Sequence, residues 1–393
     1  MNWNSFKGCN VKTKNALVIG LGISGCAAAR LLAESGYTVT CFEGESHIGG
    51  ALFEEERPNG IRVQTCGPHI FHTDNENAYN FIKRFGSFFP YRHRVVVSIN
   101  NQMVPLPLNA HSLEMLFGPK QAESLLSKLS VAFPDEKRIS VDQLMASSDA
   151  KLNDLGRFII ENILTLDINH RSGSSFIPAD DSYMNDAFVD IGSDDCYYTE
   201  SIQSMPMQGF MSIMEQMIDH KAITAYLDID ALSRVSIHQD GSTVLLDGVP
   251  FKGPVIYTPS LDKLFGFCYG ALPYRRSRTS FVDMDIDFHN ECAVILTPKA
   301  KDCVRVSECK YMTLQSIEGR TSLCMEEPFT SVSRGLSEPF EPAHSSESLA
   351  LYGKYAELAK KCPSVRLLGR MACYRNYSIS ESIEQAIEVV SSL

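Results

Sequence analysis

The segment Ala16-Leu17-Val18-Ile19-Gly20-Leu21-Gly22-Ile23-Ser24-Gly25 constrains this chain most, because an apolar run followed by spaced glycines suits a buried parallel strand turning tightly into a helix. The glycines let a pyrophosphate approach the backbone, and the helix aims its unpaired amides at it. Small residues, Cys26-Ala27-Ala28-Ala29, let that helix lie close on a sheet. A second apolar run, Thr38-Val39-Thr40-Cys41-Phe42, ends in Glu43, where a carboxylate can take both hydroxyls of an adenosine ribose. A glycine motif alone is weak. Strand, turn, small-residue helix, second strand and acid in this order predict a dinucleotide site made by Gly20, Gly22, Ile23, Ser24, Gly25 and Glu43.

His47-Ile48-Gly49-Gly50 follows Glu43 with no helix between. A second glycine pair there suits a chain passing under the pyrophosphate and ribityl of a flavin, a pattern similar to that of FAD-dependent oxidoreductases. FAD is therefore expected, ahead of NAD. With 393 residues, 44% hydrophobic and 21% charged, the chain can bury one large core or two to three domains. Its net charge of −11 disfavours nucleic acid or an anionic membrane as partner, since both ask for a basic footprint. No long apolar run, leader or lipidation motif is read, so a cytoplasmic enzyme is expected. Twelve scattered cysteines read as small buried residues in a reducing compartment, with no metal site.

Periodicity predicts a helix from about Glu76 to Arg84, then a hairpin of Arg94–Ile99 and Val104–Asn109 turning at Asn100-Asn101. Helical patterning runs from Ser112 to about Leu166. Gly, Ser, Pro and Asp then cluster to residue 195, predicting a mobile loop over 170–195. Residues 1 to 13 read as a tail, and Ser378 with Glu381 reads as a capping box on a final helix.

Gly67-Pro68-His69-Ile70-Phe71-His72-Thr73, the Leu106–Asn109 run, Val255–Pro259, Leu261–Phe265, Gly270–Arg275 and Gly369-Arg370-Met371-Ala372-Cys373-Tyr374 together resemble the UDP-galactopyranose mutase family in order and spacing. The likeness is strong over 16–118, moderate from 196 onward and nearly absent from about 140 to 195. It implies an α/β fold: a Rossmann-like FAD-binding domain with a helical subdomain and an antiparallel β-sheet domain. The boundaries expected are 14–91 plus about 200–258 and 364–393 for the cofactor, 110–170 for the helices, and 92–109 plus about 265–345 for the sheet.

The implied chemistry is pyranose–furanose interconversion of a nucleotide sugar, UDP-galactose or a related donor. Reduced FAD acts through an N5 adduct, without net redox change. An FAD-dependent oxidoreductase acting on a sugar or other small metabolite is the alternative. By the same resemblance His69, His72, Arg305 and Arg370 are catalytic. Gly49, Gly50, His69, Ile70, Gly369, Arg370, Ser378 and Ile379 join the cofactor site, and Asn109, Tyr197, Tyr198 and Arg305 meet the substrate. The resemblance also implies a homodimer.

The departures are as informative. The family's uracil-stacking aromatic run corresponds to Leu164-Thr165-Leu166-Asp167-Ile168-Asn169, which has no aromatic residue. A diphosphate arginine falls at Asp190, a phosphate-binding tyrosine at Asn376 and its neighbouring acid at Ser378. The Pro-Tyr-Tyr-Pro segment reads Pro339-Phe340-Glu341-Pro342. These changes point to a different glycosyl donor or related metabolite, with Arg171, Arg375 or Arg275 as replacement cations.

Overall fold

The computed structural model describes residues 14–164, 187–275, 278–300, 302–327 and 341–393, the Arg275 side chain excepted. The expected tail, most of the 170–195 loop, Arg171 and Thr165–Asn169 lie outside the described residues.

The architecture is α/β and begins where the apolar run predicts. Strand β1 (Lys14–Ile19) is buried from Ala16 onward. It sits between two parallel neighbours, β2 (Tyr37–Phe42) on one side and Val255–Tyr257 on the other. Helix α1 (Ile23–Glu34) makes the crossover, and Cys26, Ala27, Ala28 and Ala29 are fully buried beneath it. Ile223–Tyr226 and Val365–Leu367 complete a five-stranded parallel sheet. A strand covered on both faces carries near-continuous apolar sequence, which is why β1 reads as an unbroken run.

Next to this sheet, β3 (Phe71–Thr73) and Phe88–Pro90 flank β4 (Ile202–Pro206) in a small antiparallel sheet. A six-stranded sheet holds Val95–Ile99, Gln102–Leu106, Val294–Leu296, β5 (Arg305–Glu308), β6 (Thr321–Glu327) and Arg278–Met284. Its hairpin turns at Asn100 and Asn101, whose φ of 50° and 63° match the left-handed pair of a two-residue hairpin turn. One pair departs from the antiparallel expectation: Val294–Leu296 runs parallel to Val95–Ile99. A long intervening chain permits this, since only a tight hairpin forces neighbours to be antiparallel.

Helices Ala110–Phe117, Pro119–Ala132, Val141–Ala146 and Ala150–Ile159 occupy the middle of the chain. The loop expected over 170–195 is corrected at its described end. Phe188–Asp190 is a strand paired with Arg138–Ser140, with Val189 and Ile139 fully buried. The final helix α2 (Ile379–Ser391) starts at the predicted box: Ser378 Oγ accepts from Glu381 N at 3.1 Å, and Ser378 N donates to Glu381 Oε2 at 2.7 Å. Among the described residues no helix is long and apolar enough to cross a membrane.

Candidate active site

The dinucleotide turn is built by backbone. Gly20 N donates to Phe42 O at 2.8 Å, and Glu43, at the end of β2, accepts from Leu21 N at 2.6 Å. The first turn of α1 has no side-chain cap and no acid, so its amides face an open end suited to an anion. Gly49 and Gly50, with φ of +119° and +53°, bring the second glycine pair against the first; Gly49 N donates to Leu21 O at 2.9 Å. A Cβ on Gly22 would have nothing nearer than Gly49 O at 3.8 Å, whereas one on Gly25 would stand 1.9 Å from Gly20 O. Gly22 therefore keeps space for a ligand, and Gly25 keeps helix and strand in contact.

A contact links this turn to a second region. A Cβ on Gly369 would approach Ser24 Oγ at 2.8 Å, so the loop bearing Arg370 is pressed against the head of α1. Arg370 donates through Nε to Tyr377 O at 2.6 Å, and burial lowers its pKa. Beyond it opens a cavity of about 150 Å³, onto which His69, Ile70, His72, Tyr198, Arg305, Arg370, Ser378 and Ile379 all face.

The side chains there divide by environment. His69 Nδ1 lies 2.9 Å from Gly67 O, and burial, reinforced by Arg370, holds its pKa down to about 4, so it is neutral at pH 7. His72 Nδ1 lies 2.9 Å from Glu200 Oε1, and Tyr198 stacks on its ring. Arg305, on β5, stands opposite Glu326 of β6, 3.3 Å between Nε and Oε1. Glu326 is only 3% exposed, and these two atoms have no hydrogen-bond partner among the described residues, so the pair is held by charge and not by good geometry.

Two expected substrate residues lie elsewhere. Asn109 is fully buried; its Oδ1 accepts from Ser112 N at 3.1 Å, capping Ala110–Phe117, and its Nδ2 donates to Asp194 O and Asp195 Oδ1. Tyr197 stands behind Tyr198, ring edge to face at 5.1 Å. Asp190 does not present a carboxylate to the cavity: Arg138 holds it with two 2.7 Å bonds and also donates to Tyr197 O. Arg375 lies over the Tyr377 ring at 5.2 Å and is not on the cavity wall.

Sequence reasoning missed Glu326 and Glu200, each of which reaches its partner only through strand register. The one hint was Glu326 directly after the apolar Leu323-Cys324-Met325 segment. Glu341 and Asn376, noted as departures, do face the cavity; among the described residues Glu326 and Glu341 stand there with Arg305 and Arg370.

His93 packs behind Tyr198, 3% exposed, and burial, followed by the neighbouring His72, depresses its pKa to about 3. An unfolded histidine titrates near 6.5, so below that pH the unfolded chain takes up a proton that the fold resists. Stability is then lost as pH falls. Between pH 6.5 and 5 this site should cost about 2 kcal/mol. Urea unfolding at the two pH values checks it: His93→Gln should shrink the difference by about that amount.

A family model for UDP-galactopyranose mutase matches residues 178–376, and one for the NAD(P)-binding Rossmann-like domain matches 18–85. The UDP-galactopyranose mutase of Mycoplasma pneumoniae is 28% identical, with 100% of this chain and 97% of the relative covered. The dTDP-fucopyranose mutase of Escherichia coli is 27% identical, with 95% and 96% covered. Among solved structures, a reduced UDP-galactopyranose mutase superposes with a TM-score of 0.67 at 15% identity, covering 96% of this chain and 93% of that one. A putrescine oxidase bound to putrescine gives 0.54 at 15% identity, covering 97% and 98%. These two likenesses speak to the fold alone. With half of its residues inside the mutase model and full-length relatives bearing that name, the chain belongs to the UDP-galactopyranose mutase family.

Proposed function

We propose that this protein is a flavin-dependent nucleotide-sugar mutase that interconverts the pyranose and furanose forms of its donor, with its FAD reduced and no net redox change. The observation that carries the reading is the meeting of two histidines, two arginines and the head of α2 around one cavity, tied to the dinucleotide turn through Gly369 and Ser24.

The residues present fit FAD. The uncapped head of α1 suits its pyrophosphate, the space beside Gly22 lets that group approach, and Glu43 suits the adenosine ribose. When bound and reduced, the flavin supplies the nucleophilic nitrogen that a redox-neutral exchange at the anomeric carbon requires. The chain's own residues do the rest. Arg305 and Arg370 face the negative charge that develops as the nucleotide departs, and they are pre-positioned by Glu326 and by Tyr377 O. Neutral His69 accepts a hydrogen bond without adding charge. The cavity wall is mainly polar, with Tyr198, Ile70 and Ile379 among its apolar members.

Among the described residues Glu326 and Glu341 balance the two arginines, so this part of the lining is less cationic than a diphosphate alone would select. The donor therefore gains its affinity from nucleoside and sugar contacts as well. The relatives' names make UDP-galactopyranose and dTDP-fucopyranose the first donors to try. The cytoplasmic location, the homodimer and the division into cofactor, helical and sheet domains belong to this same proposal. Spectra taken with each donor test it: the reduced protein should isomerise one of them and the oxidised protein neither. Donor-driven bleaching of oxidised flavin would instead assign an oxidoreductase.

A further inference from the structure

His72 is held on the cavity wall by a carboxylate and a stacked ring. Its Nδ1 lies 2.9 Å from Glu200 Oε1, and its Nε2 has no hydrogen-bond partner among the described residues. Tyr198 stacks on the ring face at 3.7 Å and 16°, which fixes the ring plane, while the carboxylate fixes rotation within that plane. The stack is backed by His93 on the far face of Tyr198, and Tyr91 Oη lies 3.2 Å from His93 Nδ1. Register brings the pair together: β3 sets His72 opposite Gln203 of β4, and Glu200 stands just before β4.

A carboxylate only accepts, so Nδ1 keeps its proton whether the ring is neutral or charged. Nε2 is then the atom that gains and loses a proton, and it belongs to a residue on the cavity wall. The bond to His72 holds Glu200 below the usual carboxylate range, keeping it ionised at neutral pH. His69 differs: its Nδ1 meets a backbone carbonyl in place of a carboxylate, and it is held neutral.

Ring contraction moves a proton that such a group can carry. Conversion of a hexopyranose to its furanose breaks the bond from the anomeric carbon to the old ring oxygen and forms one to a neighbouring hydroxyl oxygen. The released ring oxygen gains one proton and the closing hydroxyl loses one, with nothing consumed. We propose that Glu200 is the positioning residue that makes His72 the carrier of this proton. Starting from the doubly protonated ring, Nε2 gives its proton to the ring oxygen as the ring opens, which leaves the neutral Nδ1–H form facing Glu200, and takes one back from the hydroxyl that closes the new ring, so the imidazolium ends as it began. This inference rests on the mutase reading above.

Nitrogen NMR of histidine-labelled protein without ligand reads the first half directly. Wild type should show His72 protonated at Nδ1 in its neutral form, and Glu200→Leu should lose that bias. In the flavin-loaded enzyme Glu200→Leu should lower kcat about 100-fold with KM within about twofold, and Glu200→Asp should recover at least about tenfold of the loss. Flavin content and melting temperature, measured on the same samples, should stay near wild type. An unchanged His72 tautomer in Glu200→Leu, an unchanged kcat, or a loss explained wholly by lost flavin would each overturn the proposal. If wild type isomerises no donor, the proton role falls with the reaction, while the tautomer measurement still tests Glu200 by itself.

Discussion

Arg305→Ala should be the most damaging single change at the cavity, for two separable reasons. Turnover should fall about 100- to 1000-fold, since a pre-positioned cation facing the departing diphosphate is removed. Stability should also fall by about 3–5 kcal/mol, because Glu326, 3% exposed, is left buried without its counter-charge. The double variant Arg305→Met with Glu326→Gln separates the two effects: it should regain most of the stability, measured by chemical denaturation, and none of the turnover. A fully stable Arg305→Ala would mean that the pair does not carry the energy assigned to it.

Two glycine substitutions should fail in different ways. In Gly25→Ala the methyl would lie 1.9 Å from Gly20 O, a backbone atom that cannot move without parting α1 from β1. Such overpacking costs about 1–3 kcal/mol or more, and flavin should be lost with the fold. In Gly22→Ala the methyl finds open space, its nearest neighbour 3.8 Å away, and φ is −72°, which alanine adopts freely. That variant should fold and melt like wild type yet purify with little flavin, because the methyl fills the approach to the pyrophosphate. Flavin absorbance per protein and melting temperature, read together, distinguish them.

What the sequence makes legible is what it encodes locally. The apolar run of β1, the small face of α1, the Asn100-Asn101 turn and the Ser378–Glu381 box each state their structure within a few residues. What it hides depends on register between distant strands. Arg305 reads as an ordinary cation on an alternating strand until β6 places Glu326 across from it. His72 reads as half of a histidine pair, yet its partner is Glu200, brought in by β4. Asp190 looks like a misplaced charge beside a phosphate, and becomes intelligible only when Arg138 is seen to bind it across a two-stranded ladder. Asn109 shows the converse: a side-chain amide just before a helix is a local signal, and the structure displays it as the cap of Ala110–Phe117.

A redox-neutral ring interconversion must approach the same equilibrium from either ring form. Reduced, flavin-loaded protein under anaerobic conditions would be given the pyranose or the furanose form of UDP-galactose, and in parallel those of dTDP-fucose, with products separated by ring size. For at least one donor both mixtures should converge on one pyranose-to-furanose ratio while the flavin spectrum stays reduced. Failure of both donors to interconvert in the reduced state, together with substrate-driven bleaching of the oxidised flavin, would contradict it.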